Sequence, residues 1–464
     1  MMPRPSSTET NASPATGRRL RRCAVLVTVL ACGFLYGVVA NERDWFPANA
    51  VRHAYKLAAG DQSHHPKGRW GRAQPPVHDP NSADFSGLTG LGYLAGNEPA
   101  PAKTGVVTYD HDRAGSGFNF FTSGHAPEAT LMNMDGEVLH RWECDYDSVW
   151  PNRPTQGGNP EYFRRAYLFD NGDIVAVFDR LGLVRLDKDS NVIWAFGEPA
   201  HHDVDVDDQG RIYVLTNYRR ERPVVRRGTT VLDDHIVVLS GDGTVLDRLS
   251  LIDAFADSPF AAVLERVPAR EDIMHTNSLE VLDGRLADRN PAFARGNVLV
   301  SLREVNVIAV VDMKTRKVAW LLWGMWLHQH QPTVLDNGNM LIFDNLGHYG
   351  LSKVFEFDPF AQPAIKSFPY TEFDPLRQKV VWTYEGTIEN GFFSRFCGTA
   401  QRLDNGNTLI TESDAGRVIE VTSRGETVWQ YVNTQRAGDD DELIAVIFEM
   451  RRLATDFPLD WLGS

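Results

Sequence analysis

"AQRLDNGNTLITESDAGRVIEVTSRGETVWQY", residues 400–431, decides the fold. It contains a strand, an Asp-Asn-Gly turn, an apolar strand, a short turn, a third strand with an acidic end, and a fourth strand carrying Val428-Trp429. The alternation of apolar and polar residues has the period of half-buried strands, and Asn-Gly is the strongest short hairpin signal. The unit therefore reads as a four-stranded antiparallel meander.

Five further copies follow the same plan. "AYLFDNGDIVAVFDRLGLVRLDKDSNVIWAF" covers 166–196, and Gln331 to Tyr384 forms another with "PFAQPAIKSFPYTEFDP" inserted as a loop. Looser copies run from "HHDVDVDDQGRIYVLTN" to "GDGTVLDRLSL" and from "HTNSLEVLDG" to "KTRKVAWLLWG". The first copy is partial in its early strands and ends in "ATLMNMDGEVLHRWE". A four-stranded sheet cannot bury both its faces alone, and radial stacking around an axis solves this with short edges only. The expectation is an all-β, six-bladed β-propeller over 106–435. Trp142, Trp194, Trp320, Trp382 and Trp429 close five units and are expected to pack between blades, without chemistry. After the sixth copy, "GDDDELIAVIFEMRRLATDFPLDW" has helical spacing behind an acidic start, so 436–464 is expected to be a short helical extension.

With 42% hydrophobic, 10% aromatic and 23% charged residues, the chain is of ordinary globular composition, which excludes a mainly disordered or multi-span membrane protein. A formal net charge of -14 and the lack of a basic patch in the body of the sequence argue against a nucleic-acid surface. Arg18, Arg19, Arg21 and Arg22 stand directly before an uncharged apolar run from Cys23 to Ala40. Basic residues stay on the cytoplasmic side, so 1–22 reads as a cytoplasmic disordered tail, 23–40 as a transmembrane signal anchor, and 41–105 as a stalk and lead-in. A cleavable signal ending near Val38-Val39-Ala40 is the rival. Of the four cysteines, Cys144 and Cys397 lie outside the apolar run, where a disulfide is permitted but not placed by sequence. No CxxC or Cys/His cluster with zinc spacing is present.

The first strand of a propeller blade lines the channel, and the hairpin brings the end of the second strand back to the level where the first began. His330 precedes the turn residue Asp336 by six positions, and His202 precedes Asp208 by six. His275 precedes Asp283 by eight, two more, which keeps one face of a strand. Three consecutive blades thus place a histidine at one channel mouth, and Arg303 returns to that level beside His275. His328 and His201 stand off this register and read as neighbours; His125, His140, His235 and His348 lack it and receive no role. Each histidine alone reads as an ordinary polar residue at the start of a strand; three converging on one mouth with an arginine suit an anionic substrate. Neutral imidazole is a nucleophile and imidazolium a proton donor, a combination that fits sulfuryl or phosphoryl transfer. A three-histidine zinc site is the physical competitor. A membrane-tethered propeller that binds a ligand without reacting, and a quinone-dependent propeller enzyme, are further alternatives.

Taken in order, "HHD", "HTNSLE", "SLRE", "QH" followed by "NGNMLIFDN", and "GTAQRLDNGNTLI" resemble the aryl-sulfate sulfotransferases, bacterial six-bladed propeller enzymes independent of the nucleotide sulfate donor PAPS. The likeness covers about 105–455. It implies ping-pong transfer of sulfate from an aryl sulfate donor to a phenolic acceptor through a sulfated histidine. By resemblance His330 is that nucleophile, while His275, Arg303 and His202 bind the sulfuryl oxygens and one histidine protonates the departing phenolate. Asn277, His328 and Asn345 complete the expected substrate-binding set, with no cofactor or metal. Together with the anchor, this places the protein in a bacterial inner membrane, single-pass, with the propeller facing the periplasm or exterior. Two departures stand out: Arg303 is followed by Glu304-Val305-Asn306 where a histidine is common, and 41–105 does not resemble the family's separate N-terminal β domain.

Overall fold

The computed structural model describes residues 96–463, apart from 156, 325, 348–350, 361–365, 368–369, 372–379, 387–390 and 438–441. The tail, anchor and most of the lead-in expected from sequence lie outside these residues. Among the described residues no helix is long and apolar enough to cross a membrane.

Six antiparallel sheets carry the chain in order around an axis. Blade two is Phe163–Leu168, Ile174–Phe178, Gly182–Leu186 and Val192–Phe196; blade three is Ala200–Val206, Ile212–Glu221, Thr230–Leu239 and Val245–Ser250. Blade four is Thr276–Val281, Val298–Leu302, Val307–Asp312 and Lys317–Trp323, and blade five is His330–Val334, Met340–Asp344, Lys353–Phe357 and Val380–Glu385. Blade six is Thr399–Arg402, Thr408–Glu412, Arg417–Val421 and Thr427–Val432, with Gly105–Tyr109 added to its outer edge as a fifth strand. The first strands of successive blades touch in a closed circuit. These pairings make the chain a six-bladed β-propeller.

Blade one corrects the expectation of a C-terminal helix. Its outer strands are Phe118–Ser123, Glu128–Met132 and Val138–Glu143, and its innermost strand is Ile447–Leu453, paired antiparallel with Phe118–Ser123. The first sequence copy is partial because its missing strand is supplied from the other end of the propeller. Leu443–Ala445 pairs with Gly96–Pro99 and Arg436–Ala437, and a 3₁₀ turn at Asp460–Gly463 is the only helical piece described beyond residue 435. Both faces of the Ile447–Leu453 strand are covered, so alternation is erased and a buried strand mimics a helix pattern.

The closing tryptophans do pack between blades, and four also tie them by hydrogen bonds. Trp142 of blade one donates to the Gly172 carbonyl of blade two at 2.9 Å, and Trp194 of blade two to the Gly241 carbonyl of blade three at 3.0 Å. Trp382 donates from blade five to the Ser423 carbonyl of blade six at 3.0 Å, and Trp429 from blade six to the Met134 carbonyl of blade one at 2.9 Å. Each bond contributes about 1 kcal/mol beyond the larger hydrophobic gain from burying the indole. Gly172 is required in its turn: its φ is +85°, and a Cβ there would lie 2.5 Å from the Trp461 ring.

The innermost strands are sheet edges, so their outward N–H groups need partners. Carboxylates supply them across blades. Asp203 accepts from Leu279 N at 3.0 Å, Asp205 from Val281 N at 2.8 Å, and Glu280 from Val334 N at 3.0 Å. Arg165 joins Asp203 of blade three at 3.0 Å to Glu449 of blade one at 2.7 Å. Asp203, Asp205, Glu280 and Glu449 line an axial cavity of about 220 Å³. Cys144 and Cys397 are both buried and free, so the permitted disulfide is not formed.

Candidate active site

At one mouth of the channel the innermost strands of blades two to five each begin with a break in register, spanning Phe163/Arg165, Ala200/Val204, Thr276/Ser278 and His330/Thr333. A bulge re-aims the side chains it contains, so convergence here arises from bulges as well as from the simple alternation expected. His202, His275 and His328 have φ of 57°, 51° and 57°. Three non-glycine residues in the left-handed region at one mouth are sparsely populated conformers that the surrounding structure must hold in place.

His330 is buried, and its Nδ1 lies 2.6 Å from Asn345 Oδ1 and 3.0 Å from the His328 carbonyl. The orientation of Asn345 is set by its Nδ2, which donates to the Ser394 and Cys397 carbonyls at 2.8 and 2.7 Å. Both neighbours of Nδ1 are therefore acceptors, so Nδ1 carries the hydrogen and Nε2 the lone pair. That Nε2 is buried without a hydrogen-bond partner. Burial, then the charge of Arg303, hold His330 well below the usual histidine range, with Arg164 and His275 adding to the effect and the Asn345 bond opposing it. The ring is thus neutral at ordinary pH.

His202 and His275 lie side by side, ring centroids 4.7 Å apart and nearly edge to face. His202 Nδ1 is 2.8 Å from His201 Nδ1, so one of the pair donates to the other. Burial, followed by the charge of His275, pushes His202 well below its usual range, and burial with Arg180 pushes His201 down to about 3. His275 Nδ1 meets Asp272 Oδ2 at 2.6 Å. Arg303 donates its backbone N–H to the His275 carbonyl at 3.2 Å, placing it beside that histidine as the register required. Its guanidinium pairs with Glu304, which also pairs with Arg270, so the acidic neighbour does face Arg303. His328 is half-buried and pushed down to about 4, first by burial and then by Arg303 and His275.

His330, His275, His202, Arg303 and His328 therefore share one mouth. Asn345 instead spends its amide orienting His330, and Asn277 donates to the Gln329 carbonyl at 2.8 Å while its buried Oδ1 has no partner. Both asparagines shape the site from behind. His140 faces the Lys188 carbonyl, His235 faces Asp233 and His125 faces Glu128, away from this cluster; His348 lies outside the described residues.

Sequence reasoning missed Arg164. It is buried, its Nη2 donates to Cys397 Sγ at 3.3 Å, and its guanidinium lies 4.7 Å over the Phe448 ring. No carboxylate pairs with it among the described residues, and its charge acts on both His330 and His202. Arg164 precedes Asp170 by six positions, the same offset as His202 and His330, so the count that found the histidines applies to it. Arg180 and Asp272 were also missed; Asp272 lies in a connection where no strand register exists. Among the described residues, no three His, Cys, Asp or Glu side chains are grouped so as to hold a metal ion, so the zinc alternative has no ligand set there.

A propeller whose axis opens on several imidazoles among guanidinium groups is chemically equipped to receive an anion. Residues 165–434 match the arylsulfotransferase (ASST) family, and the chain belongs to it. No curated protein matches the chain. Similar solved structures include a Bacteroides caccae protein of unknown function, 13% identical over 72% of this chain and 98% of that one, with a TM-score of 0.45. A streptogramin B lyase is 13% identical over 78% and 96%, with a TM-score of 0.40. The Cps50 (Swd1) β-propeller domain of Myceliophteria thermophila is 9% identical over 75% and 100%, with a TM-score of 0.42. All three TM-scores are low, so the propeller assignment rests on the strand pairing above.

Proposed function

We propose that this arylsulfotransferase moves a sulfuryl group from an aryl sulfate ester to a phenolic acceptor in two half-reactions, through a sulfated His330. The observation that carries this reading is the tautomer of His330: Nδ1 is tied to Asn345 and the His328 carbonyl, and a buried, unpartnered Nε2 is left as the nucleophile. Arg303 and Arg164 supply fixed positive charge for the sulfuryl oxygens, whose loose transition state asks mainly for positioning and charge stabilisation. In the first half the Nε2 lone pair forms the N–S bond while the S–O bond to the aryl group breaks. In the second a phenol oxygen attacks sulfur and the electron pair returns to His330. A neighbouring histidine carries the proton between the two phenols.

The test is turnover of 4-nitrophenyl sulfate with a phenol acceptor and no added metal. The unaltered protein is expected to release 4-nitrophenol and, without acceptor, to gain one sulfuryl group on the peptide carrying His330. His330→Ala is expected to do neither. Saturable binding of aryl sulfates with no chemical change would replace this reading with a non-catalytic ligand-binding propeller. We also propose that residues 23–40, behind four arginines, hold the propeller on the outer side of a bacterial inner membrane. Membrane fractionation of the full chain tests this, with recovery in the soluble fraction overturning it.

A further inference from the structure

We propose that Asp272 is a positioning residue that makes His275 the proton carrier of the reaction. The inference rests on the sulfuryl-transfer reading above and assigns a proton that reading leaves with "a neighbouring histidine".

Four histidines face the mouth, and their partners differ in kind. His330 Nδ1 faces two neutral oxygens, His202 faces another imidazole, and His328 is held through its backbone N–H by Asn306 Oδ1 at 2.9 Å. Of these four, His275 is the one whose ring meets a carboxylate, Asp272 Oδ2 at 2.6 Å. Arg180 Nη2 stands 3.6 Å from that same oxygen. Burial opposes ionisation of Asp272, yet His275 and Arg180 outweigh it and hold the carboxyl well below its usual range. A carboxylate accepts and does not donate, so His275 Nδ1 carries a hydrogen and Nε2 is the exchangeable position. The backbone fixes the ring from the other side, with His275 at φ 51° and its carbonyl accepting from Arg303 N.

This arrangement gives His275 what the rings of His202, His328 and His330 lack, a carboxylate in contact that can stabilise the ring when it carries the proton. The charged and titratable groups acting on it are Asp272, Arg303, Arg180, His201, His202, His328 and His330. Burial outweighs Asp272 and, with the two arginines, holds His275 below the usual histidine range, so the ring takes up its proton in the complex with the donor. A bound sulfate ester adds a second negative charge near the ring and moves it the same way as Asp272 does. In the first half-reaction the aryl oxygen, leaving sulfur with the S–O electron pair, takes the proton from His275 Nε2. His275 is then neutral, with Nδ1–H still on Asp272. In the second half its Nε2 takes the acceptor phenol's proton as the phenol oxygen bonds sulfur and the N–S pair returns to His330. His275 ends protonated, as it began.

A leaving group that needs no proton separates this role from a structural one. Phenol release without acceptor is measured for 4-nitrophenyl sulfate, whose phenolate is stable, and for phenyl sulfate, whose phenolate is not. Asp272→Asn keeps the shape and an acceptor for Nδ1–H but removes the charge. It is expected to lose on the order of 100-fold with phenyl sulfate, the usual scale of general acid catalysis, and only a few-fold with 4-nitrophenyl sulfate. His275→Gln, which leaves Asp272 and Arg180 in place, is expected to show the same split, and the double variant to be no worse than His275→Gln alone. Equal losses with both donors, or none with either, overturn the proposal. If Asp272→Asn does not fold, the split in His275→Gln decides. Absence of turnover in the unaltered protein overturns the sulfuryl-transfer reading and this inference with it.

Discussion

Asn345 Oδ1 stands 2.6 Å from His330 Nδ1, and the two residues come from opposite ends of one hairpin in blade five. The amide cannot turn around without losing both bonds from its Nδ2, so it selects which ring nitrogen of His330 is free.

Asn345→Ala is therefore expected to lower kcat by roughly 100-fold, short of the ~10⁴-fold lost when a catalytic histidine takes the wrong tautomer outright, because the His328 carbonyl still accepts from Nδ1; KM should be little changed. Steady-state kinetics with an aryl sulfate checks this. A rise in KM alone would show that Asn345 touches substrate directly.

Arg164→Gln is expected to raise KM by about 10 to 100-fold, the worth of one charge-assisted hydrogen bond to the substrate anion. Arg164→Lys should recover part of the loss, because charge returns without the planar fork. Inhibition by inorganic sulfate, measured in parallel, is expected to weaken in the same order.

Glu280 is pushed up to about 8, first by burial, while Asp203 is pushed up to about 6 by burial. A carboxyl raised above its unfolded value contributes stability that is fully present below that unfolded value and is lost as pH rises through the folded one. For Glu280 this window runs from the ordinary glutamate value of 4.5 to about 8. Glu280→Gln keeps an oxygen for Val334 N and removes the titration. Its melting temperature relative to the unaltered protein is expected to climb between about pH 5 and about pH 9. A pH-independent difference would contradict this. Two histidines act oppositely: His201 and His328 lie below the unfolded range, so their contribution is present at neutral pH and fades on acidification.

Removing residues 447–464 deletes the inner strand of blade one and leaves Phe118–Ser123 as an unpaired edge. The shortened chain is expected to be insoluble or to lack a cooperative melt. Removing only 455–464 takes away Phe457, Leu459, Trp461 and Leu462 from the cluster around Trp142 and should cost about 3 to 5 kcal/mol, leaving a folded protein. Melting by circular dichroism compares the two.

The blades were legible because each Asn-Gly or Asp-Gly turn punctuates a period of two, and the histidines because offset from a turn fixes depth along a channel. Arg164 obeys the same offset and was legible in principle; counting histidines alone passed over it. The strand Ile447–Leu453 was not legible as such. Its partner lies at the far end of the chain, and "LIAVIFEMRRL" is rich in residues that favour helix, a preference that pairing in a closed ring overrides. From sequence alone Asn345 reads as a substrate contact, because sequence shows which residues reach the mouth but not where an amide points. Asp272 sits in the connection between blades three and four, where nothing periodic reports its position.

The strand that completes blade one is synthesised after every other blade strand, and it carries Glu449, whose carboxylate holds Arg165 next to Arg164. A chain synthesised only as far as blade six already owns each imidazole and guanidinium of the site, yet its toroid stays open and the groups have no common focus. Long-range pairing of this kind forms late and slowly. On the proposed chemistry, the sulfuryl-transfer cluster gains its common focus only once Ile447–Leu453 has paired with Phe118–Ser123.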